Sequence, residues 1–277
     1  MNNRIDSFVI NAQELKKLID SNEIKIIDCR WFLDHPEKGA YEYKKSHIPN
    51  AVYYDLEKNT ETQNNLPHMI PSKKKFSDSI NKLGISKKDH IVIYDQIGFF
   101  CSARIWYTLK LYGFKKLRIL NGGFKSWQEK KLPTTKIIPK TLVLDSKFKI
   151  IQNKIVKKKE LEEMFSKKKE KIKLIDARSK NRFLGYEPEP RKNIKSGNIP
   201  GSINIPFNKI SDKNGNLLNF NKLKKLFELQ ANIKKNDKVI CMCGSGITAC
   251  NIIFSLDILD YKNINLYDGS WVEWGKQ

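Results

Sequence analysis

The sequence predicts an α/β fold made of two copies of one domain, each a mostly parallel sheet flanked by helices. Three observations carry this. Short β-rich apolar runs alternate with helical patterns, the order that builds parallel sheets. The two halves of the chain repeat, at offsets of 147–151 residues. At 277 residues the chain is also too long for one small core and long enough for two.

The repeat is read residue by residue. Lys25-Ile-Ile-Asp-Cys-Arg30 matches Lys173-Leu-Ile-Asp-Ala-Arg178, an offset of 148. Ser46-His-Ile-Pro-Asn-Ala51 echoes Gly197-Asn-Ile-Pro-Gly-Ser202. Ile91-Val-Ile-Tyr-Asp95 parallels Val239-Ile-Cys-Met-Cys243, and Leu120-Asn-Gly-Gly-Phe-Lys-Ser-Trp127 parallels Tyr267-Asp-Gly-Ser-Trp-Val-Glu-Trp274. Each half then reads in order as a strand (24–28 or 172–176), a loop, a strand, a helix and a buried strand ending at Asp95 or Cys243. A helix (103–112 or 247–259), a short strand and a helix bearing Trp127 or Trp274 complete it. Residues 136–156 carry Pro139 and no clear period. They read as a linker between domains 1–135 and 157–277, with Lys157–Lys168 as the first helix of the second.

Composition narrows the function classes. Five cysteines, an odd number, suggest no disulfide framework and fit a reducing compartment. A zinc site is not expected, because Cys241 and Cys243 share a strand face and no nearby histidine completes four ligands. No apolar run approaches the roughly 18 residues that span a bilayer. The start, Met-Asn-Asn-Arg-Ile-Asp, reads neither as a signal nor as a transit peptide. A cytoplasmic protein without membrane contact is expected. The net charge of +22 invites a nucleic-acid reading. However, only seven of the 52 basic residues are Arg, and the Lys are spread over both halves with no aromatic-interleaved basic stripe. No nucleic-acid partner is expected.

Cys243 is the candidate nucleophile. A buried strand delivers it to Gly244-Ser245-Gly246-Ile247-Thr248, and a helix follows. Backbone N–H groups and a helix start both stabilise an anionic sulfur. Lowering a free thiol's pKa by about two units takes ~2.7 kcal/mol, whereas a helix end supplies about 0.3–1 kcal/mol. The loop donors must therefore carry most of it. Gly244 and Gly246 let the backbone curl, and Ser245 and Thr248 add hydroxyls. The position six residues after the cysteine is Ala249, so the Arg that a Cys-based phosphatase uses to clamp phosphate is missing. In the first half Asp95 replaces the cysteine, leaving one catalytic copy. Cys29, Cys101, Cys241 and Cys250 read as packed, structural thiols.

Over essentially its full length the chain resembles the 3-mercaptopyruvate sulfurtransferases, a family of tandem rhodanese-like domains. Cys243-Gly-Ser-Gly-Ile-Thr-Ala249 is similar to that family's loop, with Ile for Val, and Asp268-Gly-Ser-Trp-Val-Glu-Trp274 to its closing motif. The resemblance extends to Arg182-Phe-Leu-Gly-Tyr-Glu-Pro-Glu-Pro-Arg191 and implies that Arg182 and Arg191 bind the donor's carboxylate and keto oxygens. Residue chemistry agrees, since three of the seven arginines fall within 178–191, where a planar fork suits a carboxylate. Arg178 and Arg104 read instead as structural ion-pair residues. Pro67-His68-Met-Ile-Pro71 resembles the family's His-Met-Leu-Pro and makes His68 a proton-relay candidate with Ser245. Glu57 stands where the family has Asp, and Asp55 reads as structural. His47 keeps the His of the family's Gly-His-Ile-Pro-Gly as a packing residue, where the second half has Asn198.

The resemblance implies sulfur transfer from 3-mercaptopyruvate through a Cys243 persulfide to a thiol acceptor such as thioredoxin, or to cyanide, with release of pyruvate. It implies no metal and no organic cofactor. A thiosulfate sulfurtransferase is the alternative, disfavoured because the loop carries no charge to meet a dianion. A non-catalytic rhodanese-like binding module is the other, disfavoured by the intact loop.

Overall fold

The computed structural model describes residues 2–21, 23–63, 65–152, 154–167 and 172–276. They form two compact units. Unit 1 comprises Met1–Glu61, Ile70–Asn153 and Ser211–Leu217, and unit 2 comprises Thr62–Met69, Lys154–Ile210 and Leu218–Gln277.

In unit 1 the main strands are β1 (Val9–Ile10), β2 (Lys25–Asp28) and β3 (Ala51–Tyr53). After a small two-stranded sheet of β4 (Glu61–Gln63) and β5 (Leu66–Met69) come β6 (Ile91–Tyr94) and β7 (Leu117–Leu120). The five-stranded sheet runs β1-β7-β6-β2-β3, parallel throughout. β6 sits at its centre and is buried along all four residues. A strand covered on both faces must be apolar at every position, which is why Ile91-Val-Ile-Tyr shows no alternation. The helix Ala12–Asp20 is capped by Asn11, whose side chain accepts the Glu14 N–H at 2.9 Å. It turns Ala12 and Leu15 into a core with Ile26, Val92, Leu120, Phe124 and Trp127.

Unit 2 repeats the plan with β8 (Ile155–Val156), β9 (Ile172–Asp176), β10 (Ile203–Asn204), β11 (Lys238–Met242) and β12 (Ile264–Tyr267). Its sheet order is β10-β9-β11-β12-β8, again all parallel. Each strand holds the place of its counterpart 146–152 residues earlier. The core gathers Val156, Leu161, Leu174, Ile199, Ile240, Met242, Tyr267 and Trp271.

Three details differ from the sequence reading. Ile155–Val156, inside the stretch read as linker, form edge strand β8 against Leu266 and Tyr267; two residues are too few to show a period. The helix expected over Lys157–Lys168 spans Lys158–Lys167, and Lys168 lies outside the described residues. The helix expected from Ile247 begins at Ala249, because Ile247 and Thr248 complete the loop. The Trp127/Trp274 register is kept. Phe124 and Trp271, three residues earlier, each lie 4.2 Å from the guanidinium of Arg30 or Arg178. Their N–H groups reach the carbonyls of Asp95 and Cys243, at 2.8 and 3.0 Å.

Candidate active site

Asp95 and Cys243 directly follow β6 and β11, at the carboxyl edges of the two sheets, where open parallel sheets expose their loops. Both loops curl through a left-handed glycine three residues on, Gly98 (φ 106°) and Gly246 (φ 79°). A side chain would be strained at either position.

The two loops carry different first residues and share the left-handed glycine, while the helix that follows starts seven residues after Asp95 and six after Cys243. In unit 1 the Asp95 carboxylate accepts five backbone N–H groups. Oδ1 takes those of Ile97 (2.9 Å) and Gly98 (2.5 Å). Oδ2 takes those of Phe100 (2.8 Å), Cys101 (2.9 Å) and Ser102 (2.9 Å). The loop is thus an anion cradle filled by its own side chain. Segment Ser211–Leu217 covers it: the Leu217 N–H meets Asn121 Oδ1 at 2.7 Å, and a Cβ on Gly98 would stand 2.8 Å from the Gly215 carbonyl oxygen.

In unit 2 the first residue is Cys243, 2% exposed. Its N–H donates to Ser270 Oγ at 3.2 Å, and Ser270 Oγ donates to the Tyr267 carbonyl at 2.9 Å. The N–H groups of Trp271 and Val272 fasten the Cys243 and Gly244 carbonyls at 3.0 and 2.9 Å. Ser270 holds this position with φ 52°, where unit 1 has Gly123 at φ 58°. Ile247 is buried, and its carbonyl accepts the Cys250 N–H at 3.1 Å. Thr248 stands at the start of the helix Ala249–Ile258.

Segment Thr62–Met69 brings His68 to this loop. Its Nδ1 lies 3.1 Å from Ser245 Oγ, and both residues are buried. His68, within β5, adopts φ 61°, an uncommon conformation for a residue with a side chain. Glu57 belongs to unit 1, where its Oε1 accepts the Trp31 indole N–H at 2.7 Å. Asp55 caps a turn through the Lys58 N–H, at 3.1 Å.

Arg182 stands on a single helical turn, Lys180–Leu184, opened by Ser179, whose hydroxyl accepts the Arg182 N–H, and closed by left-handed Gly185. Its side chain is 18% exposed and is gripped by Glu189. Nε donates to Oε1 at 3.2 Å and Nη2 donates to Oε2. The guanidinium lies over Gly244, where a Cβ would fall 2.9 Å from Nη2. Arg191 is half-buried at the end of the Glu-Pro-Glu-Pro-Arg run.

The residues read as structural pack accordingly. Arg178 is buried, paired with Asp176 Oδ2 at 2.5 Å, with Glu189 Oε1 at 2.7 Å and with the Gly197 carbonyl at 2.8 Å. Arg104 is fully buried. His47 lies between the carbonyls of Tyr43 (2.7 Å) and Ile137 (3.1 Å) and stacks on the Tyr43 ring. All five cysteines are free and buried. Burial pushes the thiols of Cys29, Cys101 and Cys241 up, with Cys101 adding to the effect at Cys29 and Cys250 at Cys241. Among the described residues, no helix is long and apolar enough to cross a membrane, and no group of three His, Cys, Asp or Glu is placed to hold a metal.

Two residues of the site escape sequence reading. Ser270 bears no chemistry of its own and is betrayed only by its contact with Cys243. Glu189 sits among prolines and acids that look like ordinary loop composition. Its proximity to an arginine cluster was the one available signal.

Comparison with known proteins agrees with this architecture. Residues 11–130 and 157–277 each match the rhodanese-like domain. The chain is 33% identical to thiosulfate/3-mercaptopyruvate sulfurtransferase 1, mitochondrial, of Arabidopsis thaliana, over 97% of this chain and 76% of that one. It is 32% identical to the 3-mercaptopyruvate sulfurtransferase of Escherichia coli, over 97% and 95%. The crystal structure of SseA from Escherichia coli, described as a 3-mercaptopyruvate sulfotransferase, superposes with a TM-score of 0.85 at 30% identity, covering 96% and 99%. The chain, with one copy in each half, belongs to the rhodanese-like domain family.

Proposed function

We propose that the chain is a 3-mercaptopyruvate sulfurtransferase whose chemistry runs through Cys243, with domains 1–135 and 157–277 and the second domain's sheet reaching back to β8 within the 136–156 stretch. The observation that carries the reading is the pair of matched loops. Unit 1 holds a carboxylate on five N–H groups, and unit 2 sets a cysteine at the same place. An outer persulfide sulfur lies two bonds beyond Cβ, as the Asp95 carboxylate oxygens do. We therefore read the loop after Cys243, with its left-handed glycine three residues on as in unit 1, as a cradle for a persulfide anion.

In the first half-reaction the Cys243 thiolate attacks the donor sulfur. The carbon–sulfur bond breaks, its electron pair leaves on pyruvate enolate, and the enolate takes a proton. The outer sulfur stays on Cys243 as a persulfide. In the second, an acceptor thiolate attacks that outer sulfur and the sulfur–sulfur bond returns its pair to Cys243. Two half-reactions sharing one covalent intermediate give ping-pong kinetics. Arg182 and Arg191 hold the donor's carboxylate and keto oxygens. His68 and Ser245, 3.1 Å apart, move the enolate proton. Thioredoxin or another thiol, or cyanide, takes the sulfur. Five free thiols favour a reducing, cytoplasmic setting.

Intact-mass measurement after donor treatment tests the reading. The protein should gain one sulfur with 3-mercaptopyruvate, lose it to reduced thioredoxin, and gain none as Cys243→Ser. A gain that persists in that variant moves the nucleophile elsewhere. Preferential loading by thiosulfate would change the donor.

A further inference from the structure

We infer that Glu189 is a positioning residue for the donor-binding Arg182, an inference that rests on the sulfurtransferase reading above. Glu189 is 5% exposed. A buried carboxylate is retained only where its charge is paired and its oxygens are bonded. Here Oε1 accepts from Arg178 Nη1 at 2.7 Å and from Arg182 Nε at 3.2 Å, while Oε2 accepts from Arg182 Nη2. The two arginines depend on it unequally. Arg178 is also held by the Asp176 carboxylate, by the Gly197 carbonyl and by the Trp271 ring. Arg182 has Glu189 as its partner on the Nε/Nη2 edge.

A guanidinium offers two edges on which a carboxylate can sit bidentately. Glu189 occupies the side edge and leaves Nη1 and the second Nη2 proton pointing along the end edge. That orientation lays the guanidinium over Gly244, beside the nucleophile. Charge balance leads to the same assignment. Asp176 offsets Arg178 and Glu189 offsets Arg182, so the cluster presents directed N–H groups with little net charge. Such a cluster recognises a monocarboxylate by geometry. Removing Glu189 would add positive charge, which aids ground-state binding, and would remove the orientation that places the donor's sulfur on Cys243. The two effects oppose each other in KM, while only the second acts on kcat.

The test compares the intact wild-type chain, Glu189→Gln, Arg182→Ala and the double variant. Each is assayed with 3-mercaptopyruvate and with 1-mercapto-2-propanone, which bears a methyl group in place of the carboxylate. Glu189→Gln should lower kcat for 3-mercaptopyruvate roughly 10- to 100-fold with KM moved less than about threefold. The fractional loss should be smaller with the carboxylate-free donor, which keeps only the keto oxygen for the arginines, and Glu189→Gln should add no loss to Arg182→Ala. Equal losses with both donors, a further loss on top of Arg182→Ala, or an unchanged kcat overturns the inference. Should Glu189→Gln fail to fold, Glu189→Asp keeps the charge one methylene short and must show the same donor-selective loss. A wild-type chain that forms no Cys243 persulfide with 3-mercaptopyruvate sinks the functional reading and this one together. An active wild type with an indifferent Glu189→Gln sinks only this one.

Discussion

Replacing Gly244 with alanine would put a methyl carbon 2.9 Å from Arg182 Nη2, where ordinary contact begins at 3.4 Å. One of the two must yield about half an ångström. Gly244 lies outside the left-handed region, so alanine strains no backbone there, and the loop is pinned by the bonds from Trp271 and Val272. The guanidinium is the softer partner, but Glu189 holds it along one edge by two hydrogen bonds. Displacing it forfeits part or all of one charge-assisted hydrogen bond to the donor, about 1.5–3 kcal/mol, or roughly 10- to 150-fold in kcat/KM. Pyruvate release across a range of 3-mercaptopyruvate concentrations measures the loss, and a thermal melt run in parallel should show a Tm close to that of the wild type. Wild-type kcat/KM in Gly244→Ala would refute the placement of Arg182. A Tm that falls with the activity would move the damage from the arginine to the loop itself.

Two further outcomes test the framework around the site. Asp95→Asn replaces an acceptor that takes five N–H groups with a side chain carrying two donors of its own. It should cost about 3 kcal/mol, read as a Tm lower by roughly 6–12 °C; an unchanged melt would mean that the cradle does not hold unit 1's loop. Cys29 and Cys241 are pushed well above their ordinary value of 9.0 by burial. The unfolded chain therefore ionises these thiols first, and the stability they contribute, intact below pH 9, should be lost as pH rises above it. Melts from pH 8 to 10.5 check the sign, and a Tm that rises over that window would contradict it.

How much of this was legible beforehand depended on whether a residue's role is local. The repeat exposed the doubled parallel sheet because strands buried on both faces, such as β6 and β11, must be apolar at every position. Cys243 was legible because a thiol followed by two glycines and two hydroxyl residues is a local pattern. His68 was not, since nothing in Pro-His-Met-Ile-Pro gives its destination, 177 residues on in sequence; it was found by family likeness. The exchange of Thr62–Met69 and Ser211–Leu217 between the units left no compositional trace. Arg182 stood out because this chain prefers lysine, whereas Glu189 was hidden in a run of prolines and acids. The start of the helix after Cys243 was placed two residues early, because Ile247 continues the apolar period while its backbone still serves the loop.

The cradle around Asp95 also bears on the energetics of the two halves. In unit 1 the anion is built into the chain, so whatever it contributes to holding that loop is there at all times. On the reading proposed above, unit 2 carries the corresponding charge on Cys243 as a thiolate, and loading moves it outward by one sulfur. A covalent persulfide stays on the chain when it unfolds, so it adds stability only as far as the folded loop holds its charge better than water does. If the loop's N–H groups gather that outer sulfur, the resistance of unit 2 to unfolding follows its chemical state. The loaded form would then be the sturdier one, and each turnover would pass through a form that unit 1 never has to visit.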